Sequence, residues 1–145
     1  MIYTKLTSLA MDIAYQAHHG QVDKSGRPYI FHPYHLAEQM DDEYSICIAL
    51  LHDVIEDTPI TFEELENYFP TEIIEALRLL IHDQSVDYFE YIKQIKKDPL
   101  ALKVKRADLA HNMDRSRLIE DNLNENYLNR LYQKYQKALD LLKEE

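Results

Sequence analysis

The chain has 145 residues, 46% of them apolar, which is the size of one domain with one buried core and leaves no room for disorder as a reading. Its net charge of −10 excludes a polymeric nucleic-acid partner, whose phosphates need a basic footprint, while a bound cation or a local basic patch still admits a small anionic substrate. No apolar run reaches a membrane span, no signal-peptide core opens the sequence, and the single Cys47 can form no internal disulfide, so a reducing cytoplasm is the expected compartment.

Only two glycines occur, Gly20 and Gly26, too few for the tight turns of a sandwich or a doubly wound sheet, so helices are expected throughout. From Thr4 to His19 apolar residues fall at Leu6, Leu9, Ala10, Ile13, Ala14 and Ala17, a helical spacing that Gly20 ends. Gln21 to Phe31, with a Ser-Gly pair and a proline, reads as a loop. Pro33 is expected to hold His32 extended and to begin a short helix carrying Leu36, Ala37 and Met40.

The run from Tyr44 through Ile46, Cys47, Ile48, Ala49, Leu50 and Leu51 is apolar on every side and continues into His52-Asp53-Val54-Ile55-Glu56-Asp57. Its length predicts one buried central helix, ended by Thr58-Pro59. Thr61-Phe62-Glu63-Glu64 is a capping box, and Pro70-Thr71 restarts the chain into Ile73, Ile74, Ala76, Leu77 and Leu80. Helices are expected over Val86–Lys96 and Pro99–Met113. A last one, near Asn124 to Lys143, has Leu128, Leu131, Tyr135, Ala138, Leu139 and Leu142 along one face. Nothing marks a repeat, a linker or a second unit, so residues 1–145 read as a single domain.

Chemistry concentrates at the end of the central run. An aspartate there is expensive to desolvate unless paired or bound to a cation. On a continuous helix His52, Asp53, Glu56 and Asp57 project over about a third of the circumference. Three carboxylates and an imidazole on one stripe repel each other, and a cation removes the conflict. Two further segments carry the same residue types. His32 lies at the loop-to-helix junction, and in Lys105-Arg106-Ala107-Asp108-Leu109-Ala110-His111-Asn112 the side chains of Asp108 and Asn112 share a face. Ligand-type residues spread over three segments are how a helical bundle builds a core metal site. Lys103, Lys105, Arg106, Arg115 and Arg117 form either a phosphate-facing wall or ordinary solvated surface. His18, His19, His35, His82 and His111 have no partner readable from spacing.

The order His32, His52-Asp53, Glu56-Asp57, Asp108, Asn112 resembles the HD superfamily of metal phosphohydrolases. More narrowly, Gly20-Gln21 to Lys24-Ser25-Gly26, Pro28-Tyr29-Ile30, His32-Pro33, Ala49 to Thr58 and Asp108 to Met113 resemble the hydrolase domain of the RelA/SpoT-type alarmone enzymes, in their stand-alone small form. The resemblance implies an all-α HD-type bundle with the metal site in its core. It implies metal ligands at His32, His52, Asp53 and Asp108, with manganese or another borderline divalent ion as cofactor. It further implies a water-handling acidic pair at Glu56 and Asp57, and nucleotide contacts at Lys24, Ser25 and Asn112. The implied activity is metal-dependent hydrolysis of a nucleotide pyrophosphate, a guanosine 3′,5′-bis(diphosphate) 3′-pyrophosphohydrolase. The partner is then a small nucleotide, with neither a nucleic-acid polymer nor a membrane. At two positions, Asp23 and Asp114, the family usually carries arginine. An aspartate cannot stack on a base as a guanidinium does, and it repels phosphate. Another nucleotide or phosphoester as substrate, or a nucleotide sensor without turnover, are the alternative expectations.

Overall fold

The computed structural model describes residues 1–118 and 124–143, which fold entirely as helices and turns apart from one antiparallel bridge, Val22 to Pro28. In chain order the helices are α1 (Lys5–Ala17), α2 (Phe31–Glu38), α3 (Glu43–Leu51), α4 (Val54–Asp57), α5 (Phe62–Glu66), α6 (Thr71–Leu79), α7 (Tyr88–Ile95), α8 (Pro99–Asn112) and α9 (Glu125–Lys143). A short 3-10 turn, Arg115–Arg117, follows α8. Among the described residues no helix is long and apolar enough to cross a membrane.

The start sites are written in polar side chains. Asp42 accepts from the Ser45 N–H at 2.8 Å to open α3, and Thr61 and Glu64 close a reciprocal capping box on α5. Asp98 caps α8, with Pro99 at its first helical position, where a missing N–H costs nothing.

Helix α3 is the axis of the fold. Ser45 through Leu51 are all buried, because α1, α2, α6 and α8 pack around it on different sides. That explains its lack of a polar face: a helix sheathed on every side has no solvent to meet. Ile46, Ile48, Leu50 and Leu51 are buried almost completely, each contributing about 1.5–3 kcal/mol relative to exposure.

Two expectations are corrected. The central helix is not continuous: α3 stops at Leu51, α4 starts at Val54, and Asp53 sits between them at φ −106° and ψ 0°, in the sparsely populated bridge region. The break is held by side chains. The His52 ring bonds back to the Ala49 carbonyl at 2.6 Å, and Asp53 is drawn toward the Tyr29 hydroxyl. The second correction concerns His32, which is helical and not extended, since α2 already begins at Phe31 with Ile30 in the right-handed region. Pro33 is then the third helical residue, within the first turn where N–H groups lack intrahelical partners, and burial of His32 and Pro33 overrides the usual bias before proline.

Between α1 and α2 the chain makes one tight loop. Gly26 lies at φ 80°, and Asp23 closes the turn by accepting the N–H groups of Ser25 at 2.8 Å and Arg27 at 3.0 Å. The Ser25 hydroxyl donates to the Arg117 carbonyl at 2.8 Å, tying this loop to the segment after α8.

Candidate metal centre

Three segments deliver side chains to one point: α2 brings His32, the α3–α4 break brings His52 and Asp53, and α8 brings Asp108. His32, His52 and Asp53 each offer a ligand atom within 4.8 Å of the others. Asp108 Oδ1 lies 2.9 Å from His32 Nε2 and 3.5 Å from His52 Nε2. His32, His52 and Asp108 are buried, and Asp53 is nearly so. The interrupted helix matters here, because it turns Asp53 toward His52, with Oδ2 at 2.9 Å from Nε2, instead of along the α4 stripe.

The donor set fits a divalent cation. His52 Nδ1 faces a carbonyl, which can only accept, so that nitrogen carries the ring proton. Nε2 is buried among the Asp53 and Asp108 oxygens, a place that a proton fills in the metal-free polypeptide and that a divalent cation would fill by taking the nitrogen lone pair. Two imidazole nitrogens and two carboxylates suit a borderline transition ion better than calcium or magnesium.

The electrostatics of the polypeptide show the same demand for positive charge. Burial opposes ionisation of Asp108, yet Lys105 at 3.0 Å and the two histidines hold its carboxyl well below the ordinary range. Burial likewise works against a charged His52, but Asp53 and Asp108 outweigh it and push that imidazole well above its ordinary value. Lys105 stays above 10.5 although buried, chiefly through Asp108. Burial, together with hydrogen-bonded Asp53, raises the Tyr29 phenol well above 10.

Two cavities abut the cluster from opposite residues. One, of about 280 Å³, is lined by His32 with Lys24, Ser25, Asn112, Arg117 and an apolar wall of Leu128, Leu131 and Tyr135. The other, of about 180 Å³, is lined by His52, Asp53 and Asp108 with Glu56, Lys105 and His82. All three residues expected to touch a nucleotide therefore line the first cavity, and Asn112 also reaches Asp108 Oδ1 at 3.2 Å. Of the expected acidic pair, Glu56 lines the second cavity and accepts the His82 N–H at 2.8 Å, while the side chain of Asp57 lines neither. Burial raises both carboxyls above their ordinary values, and Asp53 adds to the effect.

The basic cluster around α8 divides. Lys105 and Arg117 face the cavities, whereas Lys103 pairs with Asp41 and Asp42 and Arg106 donates to the Leu142 carbonyl. Spacing alone missed two contacts, Tyr29 to Asp53 and His111 to His32, both between residues far apart in the chain. Lys105 to Asp108, three residues along one helix, is the short-range contact that spacing does carry.

The description "HD domain" matches residues 10–120. The chain is 36% identical over 116 residues to the bifunctional (p)ppGpp synthase/hydrolase SpoT of Escherichia coli K12, covering 70% of this chain and 16% of that protein. It is 36% identical over 122 residues to a guanosine-3′,5′-bis(diphosphate) 3′-pyrophosphohydrolase of Spiroplasma citri, covering 72% of this chain and 16% of that one. The chain thus spans about a sixth of the length of these curated relatives. A solved structure of a metazoan ortholog of SpoT that hydrolyzes ppGpp superposes with a TM-score of 0.83 at 23% identity, over 99% of this chain and 88% of that one. That likeness carries the fold, an all-helical frame. With the match spanning residues 10–120, the chain belongs to the HD domain family.

Proposed function

We propose that the chain is a metal-dependent phosphohydrolase that removes the 3′-pyrophosphate of guanosine 3′,5′-bis(diphosphate). The observation that carries this reading is the convergence of His32, His52, Asp53 and Asp108 between two cavities, one of them furnished with Lys24, Ser25, Asn112 and Arg117. The naming of relatives as hydrolases of this nucleotide supports the choice of substrate.

His32, His52, Asp53 and Asp108 would hold the ion, manganese or another borderline divalent metal, which the mixed nitrogen and oxygen donors admit. A divalent ion bound there supplies Lewis acidity toward a phosphoryl oxygen and toward water. Lys24 and Arg117 attract phosphate at the mouth of the larger cavity, Ser25 and Asn112 offer hydrogen bonds, and the Leu128–Leu131–Tyr135 wall receives an apolar ring face. Glu56, which lines the smaller cavity and whose carboxyl burial raises above its ordinary value, takes and returns the proton of the attacking water, with Asp57, likewise raised, as its acidic neighbour. The cytoplasm is the compartment in which such a nucleotide would be met.

Asp23 favours one second reading, an HD phosphohydrolase acting on a different nucleotide. Its carboxylate lines the larger cavity and is engaged in closing its own loop, so it offers no cation to a base. Turnover of a nucleotide panel with manganese, using chelator-stripped protein reloaded with metal, decides between the two. Release of pyrophosphate from guanosine 3′,5′-bis(diphosphate) is expected. Turnover confined to other phosphoesters selects the second reading, and no turnover of any compound by metal-loaded protein refutes both.

A further inference from the structure

The two histidines of the metal cluster are held in different ways. His52 Nδ1 donates to a backbone carbonyl, the usual device for fixing such a ring. At His32 the corresponding nitrogen, Nδ1, lies instead 2.7 Å from Nδ1 of His111, 79 residues away in sequence. The two ring planes are within 5° of parallel, and their centroid separation of 5.0 Å equals the nitrogen contact plus the two ring radii. The imidazoles therefore lie edge to edge in one plane, joined by a straight N–H···N bond, and are not stacked face to face. The opposite nitrogen of His32, Nε2, points at Asp108 Oδ1 at 2.9 Å.

Resting on the assignment of His32 as a metal ligand, we propose that His111 is a positioning residue whose Nδ1 accepts the His32 Nδ1 proton and thereby presents His32 Nε2 to a divalent cation as a lone pair. The direction of the bond follows from the chemistry. An imidazole that gives Nε2 to an ion keeps its proton on Nδ1, so the proton in the contact belongs to His32 and the lone pair to His111. His111 is itself fixed. The His35 ring covers it at a centroid distance of 4.2 Å, and Arg117 donates to its carbonyl at 2.8 Å. It also stands three residues after Asp108, so α8 delivers both a carboxylate ligand and the ring that orients its neighbour.

A neutral ring suits this place better than the carboxylate that often plays the part. Asp53 and Asp108 are already in the cluster, with Glu56 and Asp57 close by, and a further anion would add repulsion between ligands without an added cation.

Asparagine and leucine at position 111 separate the hydrogen bond from the shape. They are nearly isosteric, and the Asn Oδ1 takes the place of Nδ1 as an acceptor while leucine offers none. Chelator-stripped wild type, His111→Asn and His111→Leu would each be titrated with Mn²⁺ by calorimetry and with Co²⁺ by visible absorption. His111→Leu is expected to weaken both ions by about 10–100-fold and to alter the cobalt bands. His111→Asn is expected to stay close to wild type, with the two metal-free variants melting at similar temperatures. A leucine variant with wild-type affinity and an unchanged cobalt spectrum, or an asparagine variant as impaired as leucine, overturns the inference. Wild type that binds neither ion overturns the assignment of His32 and the inference with it, an outcome distinct from metal binding that ignores position 111.

Discussion

Replacing Lys105 by methionine separates the charge balance of the polypeptide from that of the metal-loaded site. Lys105 Nζ lies 3.0 Å from Asp108 Oδ2, and the two side chains are only 14% and 9% exposed. At an effective dielectric near 20, charges at that separation attract by roughly 5 kcal/mol. Removing one partner of such a buried pair costs about 3–5 kcal/mol, since the other charge is left uncompensated. His32 and His52 lie within 3.5 Å of the same carboxylate and soften the loss. The metal-free variant is therefore expected near the low end, about 3 kcal/mol, or a fall in Tm of roughly 6–12 °C. A divalent ion held by Asp108 reverses the balance, because the ammonium then repels the ion it stands beside. The same substitution is expected to cost less in the loaded protein, and by linkage the difference appears as tighter metal binding, about tenfold for each 1.4 kcal/mol. Thermal and urea unfolding of wild type and Lys105→Met, with and without Mn²⁺, together with the metal Kd of each, measure every side of this cycle. Equal destabilisation in both states, or weaker metal binding by the variant, would refute the reasoning.

Glu56→Gln and Asp57→Asn are expected to keep the metal and the fold and to lower kcat by about 10²–10⁴-fold; near-wild-type rates in both, with bound metal verified by elemental analysis, would return these residues to solvated helix-end carboxylates. Tyr29→Phe removes the hydroxyl that Asp53 accepts from, and should cost about 1.5–3 kcal/mol in metal-free unfolding experiments. Asp23→Asn keeps an acceptor for the Ser25 and Arg27 N–H groups while removing a negative charge from the cavity wall; a KM for the guanosine nucleotide lower by about fivefold is expected from relief of roughly 1 kcal/mol of repulsion, and an unchanged KM would place the phosphates elsewhere. Burial opposes the charge of Asp42, but the Ser45 N–H and Lys103 outweigh it and hold the folded pKa below the ordinary 3.8. The stability this carboxylate adds is thus full above the unfolded value and is lost as pH falls through the folded one, so the difference between wild type and Asp42→Asn, followed by urea unfolding, should be present at pH 6 and shrink as pH falls below the ordinary carboxylate range.

The sequence by itself determined the parts that rest on near neighbours along the chain. The Thr61–Glu64 capping box and Pro99 placed helix starts, and the unbroken apolar run from Ile46 to Leu51 announced a helix with no solvent face. The face of α9 was legible too, though Leu131 and Tyr135 on it line a cavity, Tyr135 while also packing against the core. The tertiary structure decided what depends on groups far apart in the chain. Periodicity carried the central helix straight through His52 and Asp53, and it breaks there because Tyr29, 24 residues earlier, draws Asp53 out of the helical path. Local bias made His32 extended, yet packing of Pro33 in a buried first turn made it helical. Asp23 stood out as a missing cation, and only the folded loop gave it work of its own as the acceptor that closes the turn. His111 stood within a turn of Asp108, but the ring it bonds to, His32, arrives from α2. Residue type and spacing announce which side chains can bind an ion, whereas the second nitrogen of each imidazole and the balancing charge of each carboxylate are supplied by whichever elements pack alongside, and that is set only when the helices close around α3.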